Sequence, residues 1–70
     1  MKCLDLHGIK HEDVFVLVEN FVTMNQCPFE IITGNSFIMQ KIVKSILDKY
    51  HFKYTYQSYI NLGSLIVFDY

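Results

Sequence analysis

Apolar residues recur along this 70-residue chain at two different spacings that alternate from one segment to the next. Leu4 and Leu6 flank Asp5 in a period-two run, which predicts a strand with both leucines on one face and Asp5 and His7 on the other. Val14, Leu17, Val18, Phe21 and Val22 then recur at helical intervals, predicting an amphipathic helix over residues 11–24. Glu12 and Asp13 in its first turn suit the helix dipole, but Lys10 cannot cap the orphan amides. Asn25, Gln26 and Pro28 break the helix, and the β-prone run from Phe29 to Thr33 stops at Gly34. A second helix is predicted over residues 36–50, with Met39, Ile42, Val43, Ile46, Leu47 and Tyr50 as its apolar stripe and Asn35 or Ser36 as its cap. Lys53 to Tyr59 predicts a tyrosine-rich strand. Asn61-Leu62-Gly63 predicts a turn, and Leu65 to Phe68 a last buried strand that ends at Asp69.

The order β-α-β-α-β-β implies two right-handed crossovers and a terminal hairpin, hence a four-stranded mixed sheet. Two helices pack most economically on one face, so the expected fold is an α/β two-layer sandwich. Leu4, Leu6, Val14, Leu17, Phe21, Ile31, Ile42, Ile46 and either Ile66 or Val67 are the expected core. Seventy residues make one domain, 1–70, in which the first and last strands leave no tails.

Composition narrows the picture modestly. Hydrophobic residues make up 51% of the chain, enough for one core and too many for a disordered segment. No apolar run is long enough to span a membrane and no charged-then-apolar leader is visible, so a cytoplasmic domain is expected. The net charge of −1 argues against holding nucleic acid by bulk electrostatics, though not against a local basic face. Cys3 and Cys27 begin neighbouring strands and could bridge, but without a secretion signal two buried thiols are expected instead. Neither has partners at zinc-site spacing.

The candidate chemistry lies at the end of the first strand. Asp5 and His7 share a face at a strand's carboxyl end, where open α/β sheets place their sites, and Gly8 leaves room for a ligand beside the imidazole. One reading makes His7 a general acid or base near neutral pH, with Asp5 orienting it or holding a divalent metal. No third metal ligand is evident from the sequence. The bland reading has Asp5 capping loop amides and His7 merely ending the strand.

Leu4-Asp5-Leu6-His7-Gly8 resembles the LDLHG motif that opens the Smr (small MutS-related) domain of DNA and RNA nucleases. Ile31-Ile32-Thr33-Gly34-Asn35-Ser36 is similar to the glycine-rich turn after that family's second strand, and Asn61-Leu62-Gly63-Ser64 to its closing turn. Glu12 matches an acidic position common in the family. The element order also matches, so the resemblance spans nearly the whole chain and implies a fold similar to the C-terminal domain of bacterial initiation factor three. It further implies phosphodiester hydrolysis by Asp5 and His7 as a nicking or endonuclease activity, assisted by Mg or Mn. A phosphate would be held by Gly8, Lys10, Thr33, Gly34, Asn35, Ser36 and Lys41. The chain departs from the family where Asn35-Ser36 replaces the second glycine of the turn, which restricts backbone approach to a phosphate.

Other side chains leave alternatives open. Lys10, His11, Lys41 and Lys44 could flank a phosphate path or simply be solvated. Tyr50, Phe52, Tyr54, Tyr56 and Tyr59 could stack bases on an open sheet face, pair across strands or form a dimer contact. The rival functions are a nucleic-acid-binding module without catalysis and a protein-interaction domain using a tyrosine-rich sheet face. The expected state is a monomer or weak homodimer.

Overall fold

The computed structural model describes residues 1–58 and 60–68, so the expected strand positions of Tyr59 and Asp69 lie outside the described residues. The elements run β1 (Lys2–Asp5), α1 (His11–Met24), β2 (Phe29–Ile32), α2 (Phe37–Lys49), β3 (Lys53–Tyr56) and β4 (Ser64–Phe68). They form a four-stranded mixed sheet in the order β1-β2-β4-β3. β1 runs parallel to β2, while β4 is antiparallel to both β2 and β3.

Sequence explains which strands are central. β4, with the apolar run Leu65-Ile66-Val67-Phe68, lies between two partners, as a strand apolar on both faces should. The edge strands β1 and β3 are more polar, and each opens with a lysine that blunts an exposed edge.

Both helices pack against each other on one face of the sheet. Val14, Val18 and Val22 of α1 and Met39, Val43, Ile46 and Leu47 of α2 close over Phe29, Ile31, Leu65 and Val67. Phe29 is fully buried and meets Phe21 and Phe52 edge-on, at ring-centroid distances of 5.1 and 5.8 Å. Of the expected core, Leu6, Val14, Ile31, Ile46 and Val67 are buried, and Leu4, Phe21 and Ile42 are partly buried against it. Leu17 is the exception, exposed on the flank of the α1 stripe beside Ile9 and Val16. Ile66 points to the uncovered face, opposite Glu30 and Thr55.

Of the alternatives open for the tyrosines, Tyr54 and Tyr56 take the structural one, and the cysteine expectation is corrected. Tyr54 and Tyr56 alternate with Lys53 and Thr55 so that they share the helix side of the sheet, where both pack on the core. The uncovered face carries Cys3, Asp5, Glu30, Ile32, Ser64 and Ile66 instead, so it is not a tyrosine platform. Cys3 is exposed, not buried, and no disulfide joins it to Cys27.

Candidate functional site

The parallel pairing of β1 and β2 brings their carboxyl ends together, with Asp5 opposite Ile32 and the Leu6 amide donating to the Ile32 carbonyl at 2.9 Å. The chain then leaves both strands at the same level, carrying His7 to the Gly34 turn. A Cβ added at Gly34 would lie 3.1 Å from His7 Nε2, so the imidazole rests directly on this glycine. Gly34 has φ +69°, a second reason for glycine there.

β4 enters the same place from the opposite direction. The Gly63 carbonyl accepts from the amides of Thr33 and Gly34, at 2.8 and 3.0 Å. The two glycine turns touch, since a Cβ at Gly63 would come within 3.0 Å of the Gly34 carbonyl carbon. A cleft of about 270 Å³ opens here, lined by His7, Glu30, Gly34, Asn35, Asn61 and Ser64 among others.

His7, which lines this cleft, forms a hydrogen-bonded pair with Asp5 just outside the lining. Asp5 Oδ1 accepts from the His7 backbone amide at 2.9 Å and lies 2.8 Å from His7 Nδ1. The backbone bond, and after it the ring bond, hold the Asp5 carboxyl below its ordinary value of 3.8. Near neutral pH Asp5 is therefore a carboxylate that can only accept, so its contact selects the tautomer with the proton on Nδ1 and the lone pair on Nε2. The pair is open to solvent, with His7 and Asp5 side chains 66% and 57% exposed. Both simple readings of Asp5 are met at once: it caps a loop amide and also orients the histidine.

The rest of the site is acidic or neutral. Glu30 projects from the neighbouring strand and accepts a hydrogen bond from the Ser64 hydroxyl. Asn61 organises the β3–β4 turn, donating to Gln57 at 2.7 Å and accepting from the Gly63 amide at 3.2 Å. Cys3 stands on the same face, exposed at its surface, and the partial desolvation there, then Glu30 and Asp5, push its thiol upward, favouring the protonated, poorly nucleophilic form. Among the described residues, no three His, Cys, Asp or Glu side chains are grouped to hold a metal ion. The residues present thus do not fit a metal held by the protein alone, and no catalytic step is assigned to one.

Several expected phosphate ligands have other duties. The Gly34 amide is spent on Gly63, and the buried Thr33 hydroxyl bonds the carbonyls of Gly34 (2.9 Å) and Gly63 (3.2 Å). Ser36 Oγ caps α2 by accepting from the Met39 amide at 3.1 Å. Gly8 turns the chain at φ +75° with open space around it, and Lys10 sits exposed at the start of α1. Lys41 lines a different cleft. Only Gly34 and Asn35 of the seven border the His7 cleft.

Glu30, Ile32, Asn61 and Ser64 were not foreseen as lining residues. Strand alternation puts Glu30 on the face of Asp5, and that signal was available in the sequence. The pairing of β4 with β2, which delivers Asn61 and Ser64, is a tertiary fact.

No protein-family model matches the chain, and no curated protein or solved structure matches it either. No helix among the described residues is long and apolar enough to cross a membrane.

Proposed function

We propose that this chain is a cytoplasmic, Smr-like domain, with a fold similar to the C-terminal domain of initiation factor three, that binds nucleic acid and cleaves a phosphodiester with Asp5 and His7. One observation carries the reading: Asp5 holds His7 through Nδ1 and leaves Nε2 in a cleft against a glycine turn. In this scheme Nε2 takes a proton from an attacking water as the new P–O bond forms. Asp5 stabilises the imidazolium, and as the bond to the leaving oxygen breaks that oxygen takes the proton back from Nε2. The six basic residues are all lysines and none borders the cleft, so binding at the cleft itself should be weak and only shallowly salt-dependent. The test is incubation of pure protein with labelled single- and double-stranded DNA and RNA, with and without magnesium or manganese. Cleavage of any of these that is lost in His7→Ala supports the reading.

A second reading, a module that binds without cleaving, is favoured by one specific contact. Because Gly63 consumes the Gly34 amide, the turn cannot offer that donor to a phosphate. Retention of nucleic acid with every substrate left intact selects this module.

A further inference from the structure

A larger cleft, of about 470 Å³, runs between α2 and β3. Phe37, Lys41, Lys44 and Asp48 line it from one stripe of α2, spaced four, three and four residues apart, and Tyr54 and Tyr56 line it from β3. Its polar groups are already arranged. Lys44 Nζ donates to the Tyr56 hydroxyl at 2.7 Å and stands 4.6 Å from the centre of that ring. The Tyr54 hydroxyl donates to Asp48 at 3.0 Å, so the carboxylate in the groove is engaged by a phenol. Among the described residues the lysine paired with a carboxylate is Lys49, with Glu19; neither Lys41 nor Lys44 has an acidic partner. Phe37, in the first turn of α2, is 79% exposed and contributes nothing to the core.

The groove is tied to the His7 cleft. Gln40 donates to the carbonyls of Leu62 at 2.8 Å and Gly34 at 3.3 Å, pinning the start of α2 to both turns around the histidine. Asn35 borders one cleft and Phe37 the other. Only Ser36 separates the two residues, so the clefts adjoin at the turn that opens α2, one on the helix side of the sheet and the other reaching its open face.

From this arrangement we infer that the α2–β3 groove binds the nucleotide flanking the reacting phosphodiester on single-stranded nucleic acid. Its base stacks on Phe37 and its phosphate meets Lys41 and Lys44. Lysines without acidic partners beside an exposed ring are the combination that holds unpaired strands without reading their sequence. The inference rests on the assignment of His7 as the reacting base, because that fixes which phosphodiester is flanked.

The test measures anisotropy of fluorescein-labelled oligouridylate and oligodeoxythymidylate, each roughly ten nucleotides long to fill one site, on the His7→Ala protein. Adding Phe37→Ala should weaken binding by about 5- to 100-fold, the range expected for one stacked base, and Lys41→Ala should weaken it at low salt by the loss of one phosphate contact. Lys41→Ala should also reduce the slope of log affinity against log salt by about 0.7, one single-strand phosphate contact. Both side chains are exposed, and circular dichroism checks that the variants fold. Unchanged affinity and slope in both variants overturns the groove, and if wild type still cleaves, the His7 reading survives alone. Weakened binding in the variants with no cleavage by wild type upholds the groove as a strand site and rejects His7 as a catalyst. Failure to bind either oligonucleotide overturns the groove, and the His7 reading then stands or falls on the cleavage assay with all four nucleic acids.

Discussion

At Asp5 two bonds converge on one carboxylate oxygen, and they can be separated. The backbone amide of His7 is the larger cause of the lowered Asp5 titration and the imidazole the next, so His7→Ala should move the midpoint only part of the way back toward 3.8. Carbon-detected NMR titration of Asp5 reads this directly, and full return to 3.8 would contradict the backbone bond. The sign for stability follows. A depressed carboxylate contributes above its unfolded value and loses that contribution as pH falls through the folded value, below 3.8. With both side chains largely exposed, the effect on stability should be slight. Gly34 is more demanding. Alanine there adopts a left-handed conformation at a cost of about 1–2 kcal/mol, and its methyl group displaces the His7 ring. A thermal melt should show that loss, together with lower activity. Gly63→Ala should melt lower still, because its methyl meets Gly34 backbone rather than a side chain that can swing away.

The element boundaries were largely legible because most of their signals are local. The apolar spacing of α1 and the Ser36 cap of α2 depend on residues within one or two turns, and the observed helices fall within a residue of the expected bounds. The end of α2 was less legible. His51 takes φ +62°, its amide donates to the Asp48 carbonyl at 3.1 Å, and the Phe52 amide donates to the Leu47 carbonyl at 2.9 Å. This is a Schellman stop with histidine where glycine is usual, and no glycine marks it in the sequence. His51→Gly should therefore raise stability by about 0.5–1 kcal/mol, the left-handed strain removed less the entropy glycine loses. Denaturant unfolding checks it, and a fall in stability would show that the histidine side chain is needed there. Where α2 meets α1, Glu19 accepts from Tyr50 at 2.8 Å and Lys49 at 3.2 Å. These bonds, that to Tyr50 first, hold the Glu19 carboxyl below its ordinary value. No sequence pattern pairs residues that far apart.

For the whole molecule, the layer arrangement followed from element order, but the use of each face did not. Tyrosine count left an aromatic platform and a packing role both open, and strand phase decides between them by turning Tyr54 and Tyr56 under α2 and leaving Glu30 and Asp5 on the open side. Likewise the meeting of His7 with Gly34 follows from parallel β1 and β2, while the loss of the Gly34 amide depends on where β4 inserts. One small core carries the stability. Ile46 is 1% exposed between the helices and sheet, so Ile46→Ala should cost about 2–5 kcal/mol, enough to unfold much of the population. A cooperative melt at nearly the parent temperature would contradict that packing. The central claim is that the Asp5–His7 pair performs chemistry on a phosphodiester. Its most direct test is the single-turnover rate of wild type against His7→Ala on the best-cleaved of the four nucleic acids. A loss of about 10²–10⁴-fold in a variant with an unchanged fold is predicted, and equal cleavage by the two proteins would contradict it.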